Sequence, residues 1–69
     1  MHRYVIFTIP NCPKCLENKK LLDQKGIKYT ELDVISNQEN IAKARAYEVF
    51  MAGTVVDELT GDHINVEEL

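Results

Sequence analysis

Cysteine occurs at two positions in the chain, Cys12 and Cys15, within the run Asn11-Cys12-Pro13-Lys14-Cys15. Thiols separated by two residues lie about one helical turn apart, close enough to exchange a disulfide between them. The same pair also supplies half of a tetrahedral metal site. Such a site needs two more Cys or His at ligand spacing, and the histidines, His2 and His63, are isolated from the pair and from each other. A third reading leaves both cysteines as small structural residues.

The surroundings favour redox chemistry. Tyr4-Val5-Ile6-Phe7-Thr8-Ile9 is a β-rich apolar run of strand length, and a helical pattern follows the cysteines, so the pair sits where a strand turns into a helix. With Cys12 as the N-cap, Pro13 falls at the first helical position, where a missing N–H costs nothing. A thiolate at Cys12 would face the unpaired amides and the positive end of the helix, which favours the charged form. Cys12 is therefore the expected nucleophile. Cys15, one turn later and pointing more toward the protein, is the expected resolving thiol. Lys14 stands beside the thiolate as a stabilising charge, whereas Lys19, Lys20 and Lys25 read as part of a solvated face.

The elements that position this pair follow in order. The first strand, Tyr4 to Ile9, is apolar on both faces, as an inner strand would be. A helix is predicted over Pro13 to Lys25, ended by Gly26, with Cys15 and Leu22 on its buried face, Leu16 and Leu21 flanking them, and Asn18 solvated. Ile27 to Val34 alternates imperfectly and predicts an edge strand. Ser36 or Asn37 caps a second helix, with Glu39 in capping-box register to Ser36, running to about Tyr47 or Glu48. Its core arc is expected to hold Ile41, Ala42, Ala46 and Val49, with Arg45 caught inside it. Thr54-Val55-Val56-Asp57 and His63-Ile64-Asn65-Val66, joined by a turn at Thr60-Gly61-Asp62, predict a closing hairpin. Asn65 could cap one last turn.

Composition bounds the rest. With 69 residues, 45% hydrophobic and 28% charged, the chain reads as one small soluble domain spanning 1–69, with a core near the lower limit for a chain without staples. No apolar run is long enough to span a membrane. The start of the chain offers no signal-peptide core, so a cytoplasmic protein is expected, and in a reducing compartment a cysteine pair is more often catalytic than structural. A net charge of −3 gives no basic field for nucleic acid.

The order strand, Cys-Pro-X-Cys, helix, strand, helix, hairpin resembles the glutaredoxin branch of the thioredoxin fold over nearly the whole chain. Phe7-Thr8-Ile9-Pro10-Asn11-Cys12-Pro13-Lys14-Cys15 is most similar to short glutaredoxin-like proteins, including redoxins that supply electrons to ribonucleotide reductase. Gly26-Ile27-Lys28-Tyr29 followed by Leu32-Asp33-Val34 resembles that family's second strand. The resemblance implies an α/β, minimal thioredoxin-like β-α-β-α-β-β fold with a mixed four-stranded sheet and a third helix that is short or absent. It also implies dithiol exchange by Cys12 and Cys15 without a cofactor, on a protein disulfide substrate, in a monomer. A reductase or a low-molecular-weight thiol would return the electrons.

Two departures stand out. Where the family carries a cis-proline within a Val-Pro-Thr-like triplet, this chain reads Ala52-Gly53-Thr54. These three residues, with Pro13 and Lys14, form the substrate-binding set that the resemblance implies. A trans bond before Gly53 is expected, with a looser loop and extra space beside the sulfurs. The glycine pair of glutathione-using relatives is also missing from Val66 to Leu69, so glutathione is expected to be a poor partner. A metal or iron–sulfur carrier using the same cysteines, and a redox-inert interaction domain, are the competing functions.

Overall fold

A computed structural model describes residues 2–69. The elements run β1 (Tyr4–Thr8), α1 (Pro13–Gln24), β2 (Tyr29–Asp33), α2 (Gln38–Ala46), β3 (Val55–Asp57) and β4 (Asp62–Ile64), followed by a 3₁₀ turn over Val66–Glu68. The strand order is β2-β1-β3-β4, with β1 and β2 parallel and the other pairs antiparallel. This is the mixed sheet expected above, with β1 inside and β2 at an edge. A parallel pair requires a crossover, and α1 provides it.

Period-two alternation along β1 divides the core into two layers. Val5 and Phe7 point to one face and pack with Ala44, Val49 and Val56. Ile6 points to the other and packs with Leu22, Val55 and Val66. Val5, Ile6 and Phe7 are all essentially inaccessible to water, which accounts for a strand with no polar face. The Thr8 side chain, also buried, occupies the end of the strand nearest the cysteines.

Helix α2 corrects two details of the sequence reading. The cap is Asn37, whose Oδ1 accepts from the Glu39 amide at 2.8 Å, and no capping box centred on Ser36 forms. Ser36 instead donates its amide to Asp33 Oδ1, in a turn where Asp33 also binds the Ile35 amide. Ala44 is buried, whereas Ala42, Ala46 and Arg45 are exposed. The residues of this segment that pack on the sheet are Ala44, the half-buried Tyr47 and, as expected, Val49 just past the helix end. Tyr47 packs its ring 6.5 Å from that of Phe7. Several apolar arcs were compatible with this helix, and the position of Phe7 selected one.

Asp57 is buried at the end of β3, where Arg3 reaches it with Nε at 2.9 Å and a terminal guanidinium nitrogen at 2.6 Å. The hydrogen bonds from Arg3, helped by the Leu59 amide and opposed by burial, hold its carboxyl below the usual carboxylate range. A group with a depressed folded-state pKa stabilises the fold above its unfolded value and loses that contribution as pH falls toward the folded value. Stability is therefore expected to decline from about pH 4 downward. Asp57→Asn should flatten that decline while weakening the protein at neutral pH, and urea unfolding at pH 7 and pH 3 measures both.

No helix among the described residues is long and apolar enough to cross a membrane.

Candidate active site

After β1 the chain turns at Pro10-Asn11, and Asn11 adopts a left-handed φ of 59° that reverses its direction into α1. Cys12 follows as the N-cap with extended backbone, and Pro13 occupies the first turn, as the spacing predicted. The Cys15 amide donates to Cys12 Sγ at 3.1 Å. The sulfur thus does what a capping oxygen ordinarily does. Cys15 itself is 3% exposed, with its thiol 3.9 Å from the Phe7 carbonyl oxygen, while Cys12 is half-buried.

The two thiols have been pushed apart in acidity. Cys12 is held below its ordinary value chiefly by a hydrogen bond from the Cys15 thiol. The backbone amides of Cys15 and Lys14 and the charge of Lys19 add to this, against a partial loss of hydration. Burial raises Cys15, and donating to Cys12 makes its proton harder to remove. A nucleophile needs the first property, and a thiol held in reserve needs the second. Alkylation at mildly acidic pH is expected to label Cys12 in preference to Cys15 by at least about tenfold, read by mass spectrometry of the modified peptides. Preferential modification of Cys15 would reverse the two roles.

Both sulfurs lie in a groove of about 560 Å³, which Pro13, Leu16, Lys19 and Glu31 also line. On the other side of the first turn of α1 lie Lys14, Ala52, Gly53 and Thr54, around a second groove of about 400 Å³. Lys14 therefore contributes its backbone amide to Cys12, and the side-chain charge that reaches the sulfur belongs to Lys19. Histidine takes no part: neither His2 nor His63 lines the sulfur groove, and His63 Nε2 lies 2.7 Å from the Tyr47 carbonyl oxygen.

Gly53 is neither loose nor surrounded by space. The Ala52-Gly53 peptide is trans, and Gly53 takes a φ of 89°. Its amide donates to the Phe7 carbonyl at 2.7 Å, and its carbonyl accepts from Asn18 Nδ2 at 2.6 Å. A Cβ there would meet Lys14 Cγ at 2.9 Å and the Cys15 amide nitrogen at 3.2 Å. The expected opening beside the sulfurs is absent because the glycine backbone itself packs onto the first turn of α1.

A family model described as Glutaredoxin matches residues 4–55, which include β1, the cysteine pair and the Gly53 segment. The chain belongs to the glutaredoxin family. Glutaredoxin 1 of Rickettsia bellii is 39% identical over 46 residues, covering 65% of this chain and 47% of that protein. Glutaredoxin 1 of Rickettsia felis is 41% identical over 34 residues, covering 49% of this chain and 33% of the relative. The protein of the same name in Rickettsia prowazekii is 41% identical over 34 residues, or 49% and 36% of the two chains. The chain thus spans less than half the length of these curated relatives.

Three residues around the two grooves take positions that the spacing alone does not predict. Asn18, expected in solvent, anchors Gly53. Lys19, expected on a solvated face, pairs with Glu31 at 3.3 Å in the groove that holds the sulfurs. Glu31 also accepts from the buried Thr8 hydroxyl at 3.2 Å. A signal for the first two was present: Asn18 is four residues after Lys14 and Lys19 four after Cys15, so each shares a helix face with a site residue. Nothing local pointed to Glu31, whose role depends on the pairing of β2 with β1.

Proposed function

We propose that this chain is a thiol–disulfide oxidoreductase that reduces protein disulfides with the Cys12/Cys15 dithiol, residues 1–69 acting as one domain in the cytoplasm. The observation that carries this reading is the amide hydrogen bond to Cys12 Sγ at the mouth of a groove, with the second, less acidic thiol buried behind it. The Cys12 thiolate attacks one sulfur of the substrate disulfide, forming a Cys12–substrate disulfide and expelling the other sulfur as a thiolate, which takes up a proton. Cys15 then loses its proton and attacks Cys12 Sγ. The Cys12–Cys15 disulfide forms, the second substrate thiol leaves, and two electrons have passed from the dithiol to the substrate. Migration of the Cys15 proton to the departing thiolate balances the second step. No resident metal or organic cofactor enters this cycle.

Recognition of an extended substrate segment falls to Ala52, Gly53 and Thr54, with Pro13 and Lys14 at the rim. Among the described residues, neither the amide nor the carbonyl of Ala52 takes part in a hydrogen bond, and its neighbour Gly53 is already paired with Phe7. Strand-like pairing of substrate backbone with Ala52 continues that ladder.

The cycle closes when a donor returns two electrons to the Cys12–Cys15 disulfide. Asn65 and Val66–Glu68 form a single 3₁₀ turn without a glycine pair, so the peptide of glutathione lacks a backbone anchor there. A flavoprotein of thioredoxin-reductase type is the proposed donor. The test is reduction of a model protein disulfide, followed through NADPH oxidation, with each regenerating system in turn. Turnover is expected with a flavoprotein reductase, and with glutathione plus glutathione reductase at less than about a tenth of that rate, one tenfold step being about 1.4 kcal/mol of barrier. Equal or faster turnover with glutathione overturns the choice of donor, and no turnover with either overturns the function.

A further inference from the structure

The chain Thr8–Glu31–Lys19 has no part in the exchange steps above, yet it borders the groove that holds both sulfurs. Lys19 Nζ lies 3.3 Å from each carboxylate oxygen of Glu31, and Glu31 Oε2 accepts from the Thr8 hydroxyl at 3.2 Å. Thr8 is buried in β1 and cannot follow a moving carboxylate, so Glu31 is pinned at its base. Lys19, Glu31 and Thr8 line the same groove as Cys12 and Cys15. A lone surface pair of this kind adds little to stability, since the gain in Coulomb energy is offset by side-chain ordering and screening. Its position at the reacting sulfur gives it another use.

We propose that Lys19 and Glu31 are an electrostatic regulator of Cys12: the Lys19 ammonium is shared between Glu31 and the sulfur, and Glu31, pinned by Thr8, limits the share the sulfur receives. This rests on the dithiol reading above and adds to it a device that sets both nucleophile strength and redox poise. When Cys12 is a thiolate, Lys19 stabilises it. When Cys12 and Cys15 are joined in a disulfide the sulfur carries no charge, and Lys19 interacts with Glu31 alone. Lys19 therefore favours the reduced form, which makes the disulfide a stronger oxidant, and Glu31 opposes this.

The other charged and titratable groups around the sulfur do not duplicate the pair. Cys15 comes from α1 and is buried. The Lys14 side chain lies against Gly53, on the far side of the first turn of α1. Asp33, at the end of β2, lines the groove but is occupied by the Ile35 and Ser36 amides. The segment from Ala52 to Thr54 carries no charge. The lowering of the Cys12 thiol by Lys19 agrees with this geometry.

The test measures the rate of Cys12 alkylation against pH in the whole chain. It also measures the equilibrium of the Cys12–Cys15 disulfide against a dithiothreitol couple. Neither readout requires turnover, so a failed activity assay and a failed regulator remain separate results. Lys19→Met is expected to slow alkylation at pH 6 by about two- to fivefold and to shift the equilibrium toward the disulfide. Glu31→Gln is expected to speed alkylation by a similar factor and to shift the equilibrium toward the dithiol, the range being that of partly exposed ion pairs. Lys19→Arg keeps the charge and should restore the natural profile. The Glu31→Gln effect should shrink by at least half in the Lys19→Met background, because Glu31 acts mainly through Lys19. Unchanged profiles in both single variants, slower alkylation in Glu31→Gln, or a Glu31→Gln effect undiminished without Lys19 would each overturn the proposal. Glu31 is exposed, so its variant tests the idea even where a Lys19 variant folds poorly.

Discussion

Cys12→Ser is expected to lower disulfide reduction by at least about a thousandfold, because a hydroxyl in place of an activated thiolate leaves no nucleophile at the groove mouth. Cys15→Ser should behave differently. Cys12 remains at the N-cap, and the Cys15 amide that donates to its sulfur belongs to the backbone and survives the substitution. The attack on substrate therefore proceeds, but nothing within the chain resolves the product, and a Cys12–substrate disulfide should accumulate in near-stoichiometric amount. Non-reducing gel electrophoresis after mixing with a disulfide-bonded protein reads the adduct directly. The serine hydroxyl keeps a donor beside Cys12, so Cys15→Ala, which removes it, is the variant in which alkylation of Cys12 should require a higher pH than in the natural protein. Accumulation of adduct on Cys15 in a Cys12→Ser variant, with none in Cys15→Ser, would exchange the roles.

Gly53→Ala should be the most damaging single-methyl change near the site. Two independent costs fall on one atom. The φ of 89° is a conformation that residues with a Cβ rarely adopt, which costs about 1–3 kcal/mol. The added methyl would also stand 2.9 Å from Lys14 Cγ and 3.2 Å from the backbone at both Lys14 and Cys15. Lys14 Cγ can shift, but the backbone of the first turn cannot do so without moving the amide that holds Cys12 Sγ, and overpacking adds about 1–3 kcal/mol. The sum, about 2–6 kcal/mol, is comparable with the whole stability expected of a chain this size, at roughly 0.05–0.15 kcal/mol per residue. Thermal unfolding should show a large drop in midpoint. In whatever fraction stays folded, Cys12 should alkylate more slowly at pH 6, because its cap geometry is disturbed. Gly53→Pro should be no better, since proline is confined to φ near −65° and removes the amide that binds the Phe7 carbonyl. The position is therefore not a vacant seat for the proline of the family's triplet.

Much of this was already written in short stretches of the chain. A β-rich run before Cys12, proline after it and a glycine ending the helix are local signals, each acting over a few residues. They placed β1, α1 and the cap at Cys12 correctly because capping and helix initiation depend on neighbours within a turn. The hairpin of β3 and β4 and the edge position of β2 followed from alternation and turn residues in the same way. The different exposures expected of Cys12 and Cys15 follow from the helix period alone.

What tertiary structure decided involves partners far apart in the chain. Asn18 is bound to Gly53 across 35 residues, and Thr8 to Glu31 across 23. No periodicity reaches that far. The face of α2 that is buried depended on where Phe7 stood, because an alanine-rich helix offers several equivalent arcs and only packing distinguishes them. Lys19 could be placed on the face of the cysteines from its spacing, but its role depended on Glu31 being brought alongside by the parallel pairing of β2 with β1. Local chemistry along the chain thus placed the sulfurs and separated their exposures. Long-range packing supplied the carboxylate that pairs with Lys19 and the close backbone contact at Gly53, since both require residues that meet only once the sheet has formed.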